Sequence, residues 1–190
     1  MSAVEPLPTE PPVPWQSSGP LTKRDLDRMP NDGHRYELID GVLLVTPGPA
    51  FAHQRIVLNL AIKLEQACPP ELCTLTAPFD VVLAGDTVVQ PDVLVARRDS
   101  FASGDLPRPP LLAVEVLSPS TRRIDLMLKF SRYEAAGCPA YWVVDPDTPS
   151  LIAWELQDGA YVQVAKVTGE ESARLTSPYD VTVVPADLIS

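Results

Sequence analysis

Two acids stand in strands that otherwise read as buried. One stretch is Val88-Val89-Gln90-Pro91-Asp92-Val93-Leu94-Val95, the other Leu111-Leu112-Ala113-Val114-Glu115-Val116-Leu117. Short apolar runs of this kind fit strands covered on both faces. An ionised carboxylate there costs several kcal/mol unless a positive side chain or a metal ion compensates it. Asp92 and Glu115, if their strands are neighbours, can share one cation. Hard ions such as Mg²⁺ or Mn²⁺ take carboxylate oxygens and leave room for water and substrate phosphate. An ion held this way polarises a phosphoryl oxygen and generates a nucleophile from water. The competing reading of each acid is a salt bridge to a nearby Arg, or an exposed strand end.

Lys129 is the third candidate. It follows Asp125 by four residues on an expected helix, a spacing that also makes a surface ion pair worth only ~0.3–0.5 kcal/mol. It flanks the apolar stripe Leu126, Phe130 and Tyr133, so it can instead face the sheet, orient water and stabilise charge on phosphate. From Arg97 to Arg132, seven Lys or Arg stand against four acids, a local excess of three positive charges. Arg122 and Arg123 lie in this stretch and are candidate phosphate contacts. The chain as a whole carries −10, which argues against nonspecific nucleic-acid binding over the entire surface.

The elements that must position these residues follow from periodicity. Residues 1–20 hold six of the 22 prolines and read as a disordered or extended tail, with 21–190 as one domain. Thr22 opens a short helix ended by Pro30. Asp40-Gly41 joins two strand-like runs as a hairpin, and Asp158-Gly159 joins another pair. Residues 50–67 read as an amphipathic helix with Ile56, Val57, Leu60 and Leu64 on one face, and His53 one turn earlier on the same face. Strands are expected at 72–83, 87–96 and 111–117. A helix over 121–136 follows, capped near Ser118-Pro119-Ser120-Thr121 and closed by Gly137. Tyr141-Trp142-Val143-Val144 is the next strand, its aromatics packing the core. Strand 111–117, the helix and strand 140–144 make a parallel crossover. A last strand lies near Val181–Val184. The fold class is α/β: a mixed sheet flanked by helices.

Three cysteines, Cys68, Cys73 and Cys138, form no paired framework and no Cys-x-x-Cys zinc signature. No apolar run approaches ~20 residues, and the N-terminus has no signal-peptide pattern. A cytoplasmic setting is the simplest expectation.

The order of elements, with Pro91-Asp92 on the second core strand and Glu115 on the third, resembles the PD-(D/E)XK nuclease superfamily. More narrowly, six ordered blocks resemble the Uma2 family of restriction-endonuclease-like proteins. They are Tyr36-Glu37-Leu38-Ile39-Asp40-Gly41, His53-Gln54-Arg55-Ile56, Gln90-Pro91-Asp92, Val114 through Thr121, Asp125 with Lys129, and Tyr141-Trp142-Val143-Val144-Asp145-Pro146. The resemblance covers roughly residues 20–165. It implies a restriction-endonuclease-like core of order αβββαβ, with an added N-terminal hairpin and C-terminal strands. It implies a Mg²⁺- or Mn²⁺-dependent endonuclease acting on nucleic acid, with DNA as the expected substrate. Asp92, Glu115 and the Val116 backbone carbonyl would be the ligands, with Glu37 and His53 supporting them. The superfamily lysine stands two residues after the second acid, where this chain has Leu117. The family's lysine comes from the following helix, here Lys129. A homodimer would present two sites to two strands. The alternative is a non-catalytic nucleic-acid or protein-interaction module that retains the fold.

Overall fold

The computed structural model describes residues 19–46, 48–119 and 121–189. Most of the expected proline-rich tail, and Ser120 of the helix cap, lie outside them. The order begins α1 (Lys23–Leu26), β1 (Arg35–Ile39), β2 (Val42–Thr46), α2 (Phe51–Ala67) and β3 (Leu72–Thr76). It continues with β4 (Asp80–Ala84), β5 (Thr87–Val89), β6 (Val93–Arg97), β7 (Asp105–Leu106) and β8 (Leu112–Val116). A π-helical stretch, Ile124–Lys129, runs into α3 (Phe130–Ala135). Five strands follow: β9 (Ala140–Asp145), β10 (Ser150–Gln157), β11 (Ala160–Thr168), β12 (Ala173–Leu175) and β13 (Val181–Val183).

Two mixed sheets carry the architecture. The first runs β2-β1-β5-β4-β7, the second β11-β10-β9-β8-β6-β3, and β12 pairs with β13. Asp40 and Gly41 turn the β1–β2 hairpin with φ of 52° and 74°, and Asp158 and Gly159 turn β10–β11 with 51° and 85°. Both turns use the left-handed backbone that a two-residue hairpin demands. β8 and β9 are parallel and joined through the helix, as expected.

The expected strands 72–83 and 87–96 are each broken in two. Pro78 and Pro91 stand at the breaks, and neither can donate to a ladder. The halves part company: β3 and β6 pair within the second sheet, β4 and β5 within the first. At the divergence the Ala77 N–H still donates to the Asp92 carbonyl at 3.2 Å. Asp92 therefore sits where the two sheets separate. α2, β3, β6, β8, the helix and β9 give the αβββαβ order.

Alternation decides what faces what. Ile56, Val57, Leu60 and Leu64 of α2 cover one face of the second sheet, packing on Val93, Val95, Val114, Val116 and Trp142. The opposite face carries Leu94, Ala96, Ala113, Leu117 and Tyr141, packed on Tyr133 of α3 and on Ile39, Val81 and Val89 of the first sheet. A period of two puts Asp92 with Leu94, and Glu115 with Ala113, on this second face. The site thus lies between the two sheets and under the helix.

The helix departs from its expected form. Asp125 to Lys129 is π-helical where regular α-helix was expected. The Tyr141 hydroxyl donates to the Asp125 carbonyl at 2.8 Å, taking up part of the acceptor that the ladder would use. Such insertions are a standard cause of helix distortion, and π turns concentrate at functional sites. Ser118 holds the start: its carbonyl accepts the Arg122 N–H at 3.0 Å.

A Cβ added at Gly41 would lie 2.5 Å from the Pro20 Cβ, whereas one added at Gly159 meets nothing within 4 Å. Gly159→Ala should therefore lose only the left-handed backbone cost, about 1–2 kcal/mol. Gly41→Ala should lose distinctly more, because contact with Pro20 adds to the same cost. Urea unfolding of the two variants checks the order.

Candidate active site

Each candidate side chain arrives from a different element. Glu37 comes from β1, His53 from the first turn of α2, Asp92 from the residue before β6, and Glu115 from β8. Asp125 and Lys129 come from the π-helical stretch. All meet in one buried cluster.

Lys129 is its centre. Its Nζ lies 2.8 Å from Glu37 Oε1, 3.1 Å from Glu115 Oε1 and 3.7 Å from Asp125 Oδ1. The Lys129 side chain is 3% exposed. The surface-pair reading of Asp125 and Lys129 is thereby overturned, since both side chains point inward. Leu117 is core, and the lysine that reaches Glu115 comes from the helix instead. Glu37 also accepts the Gln90 N–H at 2.7 Å, and the Tyr133 hydroxyl lies 3.5 Å from Glu115 Oε1.

Asp92 is held on both oxygens. Oδ1 accepts from Arg35 Nη1 at 3.0 Å. Oδ2 accepts the Val116 N–H at 2.8 Å and lies 3.2 Å from His53 Nε2. The strand geometry of β8 turns the Val116 carbonyl to the same side as this N–H. Arg35 Nη2 lies 3.7 Å from Glu37 Oε1, linking the two halves of the cluster. His53 Nδ1 and Arg35 Nε are buried atoms with no hydrogen-bond partner.

The charges do not balance. Glu37, Asp92, Glu115 and Asp125 face Arg35 and Lys129, leaving two negative charges in excess when all four acids are ionised. Burial raises the Asp92 carboxyl, but the His53 hydrogen bond and the charges of Arg35, His53 and Lys129 outweigh it and hold it at about 2. Burial pushes Glu115 well above the ordinary carboxylate range; Lys129 opposes this, and Asp125, Asp92 and Glu37 add to it. Asp125 is raised chiefly by burial too, against Lys129 and a hydrogen bond from Thr121. Burial works to lower Lys129, yet Glu115, Glu37 and Asp125 raise it, so the ammonium stays charged.

Among the described residues, no three His, Cys, Asp or Glu side chains converge as an ion-binding group. The carboxylates are instead drawn onto Arg35 and Lys129. The donor chemistry nevertheless fits a hard divalent ion: carboxylate and carbonyl oxygens, with negative charge to spare.

The basic stretch is largely paired. Arg97 meets Asp99 at 3.1 Å, Arg98 meets Glu65 at 3.9 Å, Arg122 meets Asp145 at 2.7 Å and Arg132 meets Asp40 at 2.6 Å. Arg122 keeps about half its side chain exposed (49%), and Arg123 is exposed. Neither joins the buried cluster. Sequence reasoning missed Arg35, which stands two residues before Glu37 on β1 and so shares its face. That spacing was the available signal.

Removing Lys129 leaves three buried carboxylates without their shared cation. Lys129→Met should cost about 3–5 kcal/mol near pH 8, as breaking a buried pair does. Glu115 and Asp125 bind protons more tightly folded than unfolded, so their contribution is present at low pH and lost as pH rises through their folded values. The deficit of Lys129→Met should therefore shrink near pH 5. Equal deficits at both pH values in denaturant titrations contradict this charge balance. Asp92 works in the opposite sense. Its ordinary value of 3.8 falls to about 2 on folding, a contribution of about 2 kcal/mol that is present above 3.8 and lost as pH falls through about 2. The stability gap between wild type and Asp92→Asn should close over that interval.

Comparison with known proteins bears on the fold and the family. No curated protein matches the chain. The crystal structure of a "putative nuclease belonging to DUF820" from Anabaena variabilis superposes with a TM-score of 0.71 at 17% identity, covering 90% of this chain and 98% of that one. This likeness shows a shared nuclease-like fold. The model of the Uma2 family, described as "Putative restriction endonuclease", matches residues 24–183, a span that includes every member of the buried cluster. The chain belongs to the Uma2 family.

Proposed function

We propose that this protein is a Mg²⁺- or Mn²⁺-dependent endonuclease that hydrolyses phosphodiester bonds in DNA. One observation carries the reading. Asp92, Glu115 and Lys129, from three separate elements, meet in a buried cluster with excess negative charge. The Uma2 membership and the nuclease-like fold support it.

Asp92, Glu115 and the Val116 carbonyl would hold the ion, with Glu37 as a further oxygen donor. The bound ion supplies Lewis acidity toward the phosphoryl oxygen and lowers the pKa of water. Burial raises the Glu115 carboxyl and the neighbouring acids add to it; a divalent ion there would offset both. Lys129, kept as an ammonium, would donate to a phosphate oxygen or hold the attacking water once the ion takes its carboxylate partners. His53 Nε2 lies against Asp92 Oδ2 and would help hold that carboxylate in place. Arg123, and Arg122 beside its pairing with Asp145, would contact the phosphate backbone outside the cluster.

A non-catalytic nucleic-acid or protein-interaction module is the second reading. The specific observation in its favour is that Arg35 and Lys129 already pair the carboxylates.

Cleavage of supercoiled plasmid and of single-stranded DNA separates the two readings. Activity should require Mg²⁺ or Mn²⁺ and disappear in Asp92→Ala and Glu115→Gln. In a folded Lys129→Met chain the single-turnover rate should fall about 10²–10³-fold, as on losing one oxyanion donor. DNA binding without metal-dependent cleavage in wild type would establish the non-catalytic module. Arg122→Glu with Arg123→Glu should weaken DNA binding and flatten its salt dependence.

A further inference from the structure

Arg35 belongs to the buried cluster, yet the nuclease reading gives it no task. Its Nη1 donates to Asp92 Oδ1 at 3.0 Å and its Nη2 lies 3.7 Å from Glu37. We infer that Arg35 is an internal counter-ion that competes with the divalent ion for Asp92, so that ion entry and withdrawal of the guanidinium are coupled. The inference rests on the proposed metal site.

Three observations point this way. First, a guanidinium stays charged at any accessible pH, so it cannot accommodate an arriving cation by losing a proton. An ion on Asp92 and Arg35 on the same carboxylate are like charges in a buried site, where repulsion is weakly screened. Second, Arg35 is the less firmly held of the two cations. Lys129 has carboxylates at 2.8, 3.1 and 3.7 Å, whereas Arg35 makes one short bond to Asp92, and its buried Nε has no partner. Third, Arg35 is on the open side. Its side chain is 24% exposed and that of His53 12%, while Glu37, Asp92, Glu115, Asp125 and Lys129 are all buried. An ion arriving from solvent meets Arg35 and His53 first. Once displaced, the guanidinium stands at the mouth of the site, where its fork suits a phosphate.

A purely structural arginine predicts the opposite sign. If Arg35 only held Asp92 in place, its removal would disorder the ligand and weaken ion binding.

Mn²⁺ titration by calorimetry, on the whole chain without nucleic acid, tests the inference. Arg35→Met should bind Mn²⁺ about tenfold tighter than wild type or better, because one positive charge leaves the cluster. Arg35→Gln, which keeps a donor for Asp92, should tighten binding likewise and serves if Arg35→Met does not melt cooperatively. Arg35→Lys keeps the charge and should stay near wild type. Adding Asp92→Asn to Arg35→Met should abolish the tight site. Equal or weaker binding in folded Arg35→Met and Arg35→Gln overturns the inference. If wild type binds Mn²⁺ and Asp92→Asn removes that binding, the metal site stands and only the role of Arg35 falls. If neither wild type nor the Arg35 variants bind, the metal site falls and this role with it.

Discussion

The ammonium of Lys129 is the point on which the rest of the structure turns. It bonds Glu37 in the first sheet and Glu115 in the second, and it is itself carried by the helix that crosses between β8 and β9. Three layers are thus tied through one buried cation. Desolvating such a group is expensive, and a single carboxylate seldom repays it. Three carboxylates do so here, and they hold the lysine charged. The Gln90 N–H adds a second bond to Glu37, at the place where Pro91 ends the pairing of β5. The gap between the diverging sheets is thereby closed by polar contacts, while apolar packing closes it elsewhere.

The helix bends to this requirement. Asp125 and Lys129 must both point inward, although an amphipathic α-helix of this composition would leave them at its edge. The π turn and the Tyr141 hydroxyl on the Asp125 carbonyl accompany that orientation. Tyr141 is held in turn by aromatic neighbours, with Tyr133 at 5.2 Å and Phe130 at 6.0 Å between ring centroids. The polar cluster is therefore backed by a layer of packed aromatic rings. Tyr141 and Trp142 pack opposite faces of the second sheet, so one strand serves both cores.

The site is self-neutralised but not fully so. Arg35 and Lys129 cover half of the four acidic charges, and burial, with Asp125, Asp92 and Glu37 adding to it against Lys129, raises the Glu115 carboxyl. On the proposed reading a divalent cation would complete this balance. This is how, on that reading, a chain of net charge −10 serves a polyanion: attraction is local and passes through the ion, because most of the basic stretch is spent on partners of its own.

Much of the fold was legible in the sequence. Asp-Gly marks both hairpins because few other dipeptides tolerate two left-handed residues. The apolar spacing of α2 and the parallel crossover around the helix follow from burial on one face and from chirality. Asp92, Glu115 and Lys129 were recognisable as residue types that buried strands and an apolar helix face do not carry without a reason. Three things were not legible. Pro78 and Pro91 each end one strand, but that the halves join different sheets depends on long-range pairing. Arg35 shares a face with Glu37 by simple alternation, yet its partner Asp92 lies 57 residues away and is brought near only by the pairing of the sheets. The inward turn of Lys129 was undecidable locally, since the same spacing from Asp125 serves a surface pair equally well. The sequence alone determined that Asp92 and Glu115 stand in apolar strands and need a compensating positive charge. The tertiary structure decided which charges neutralise one another, because that depends on distances across strands that no local pattern encodes.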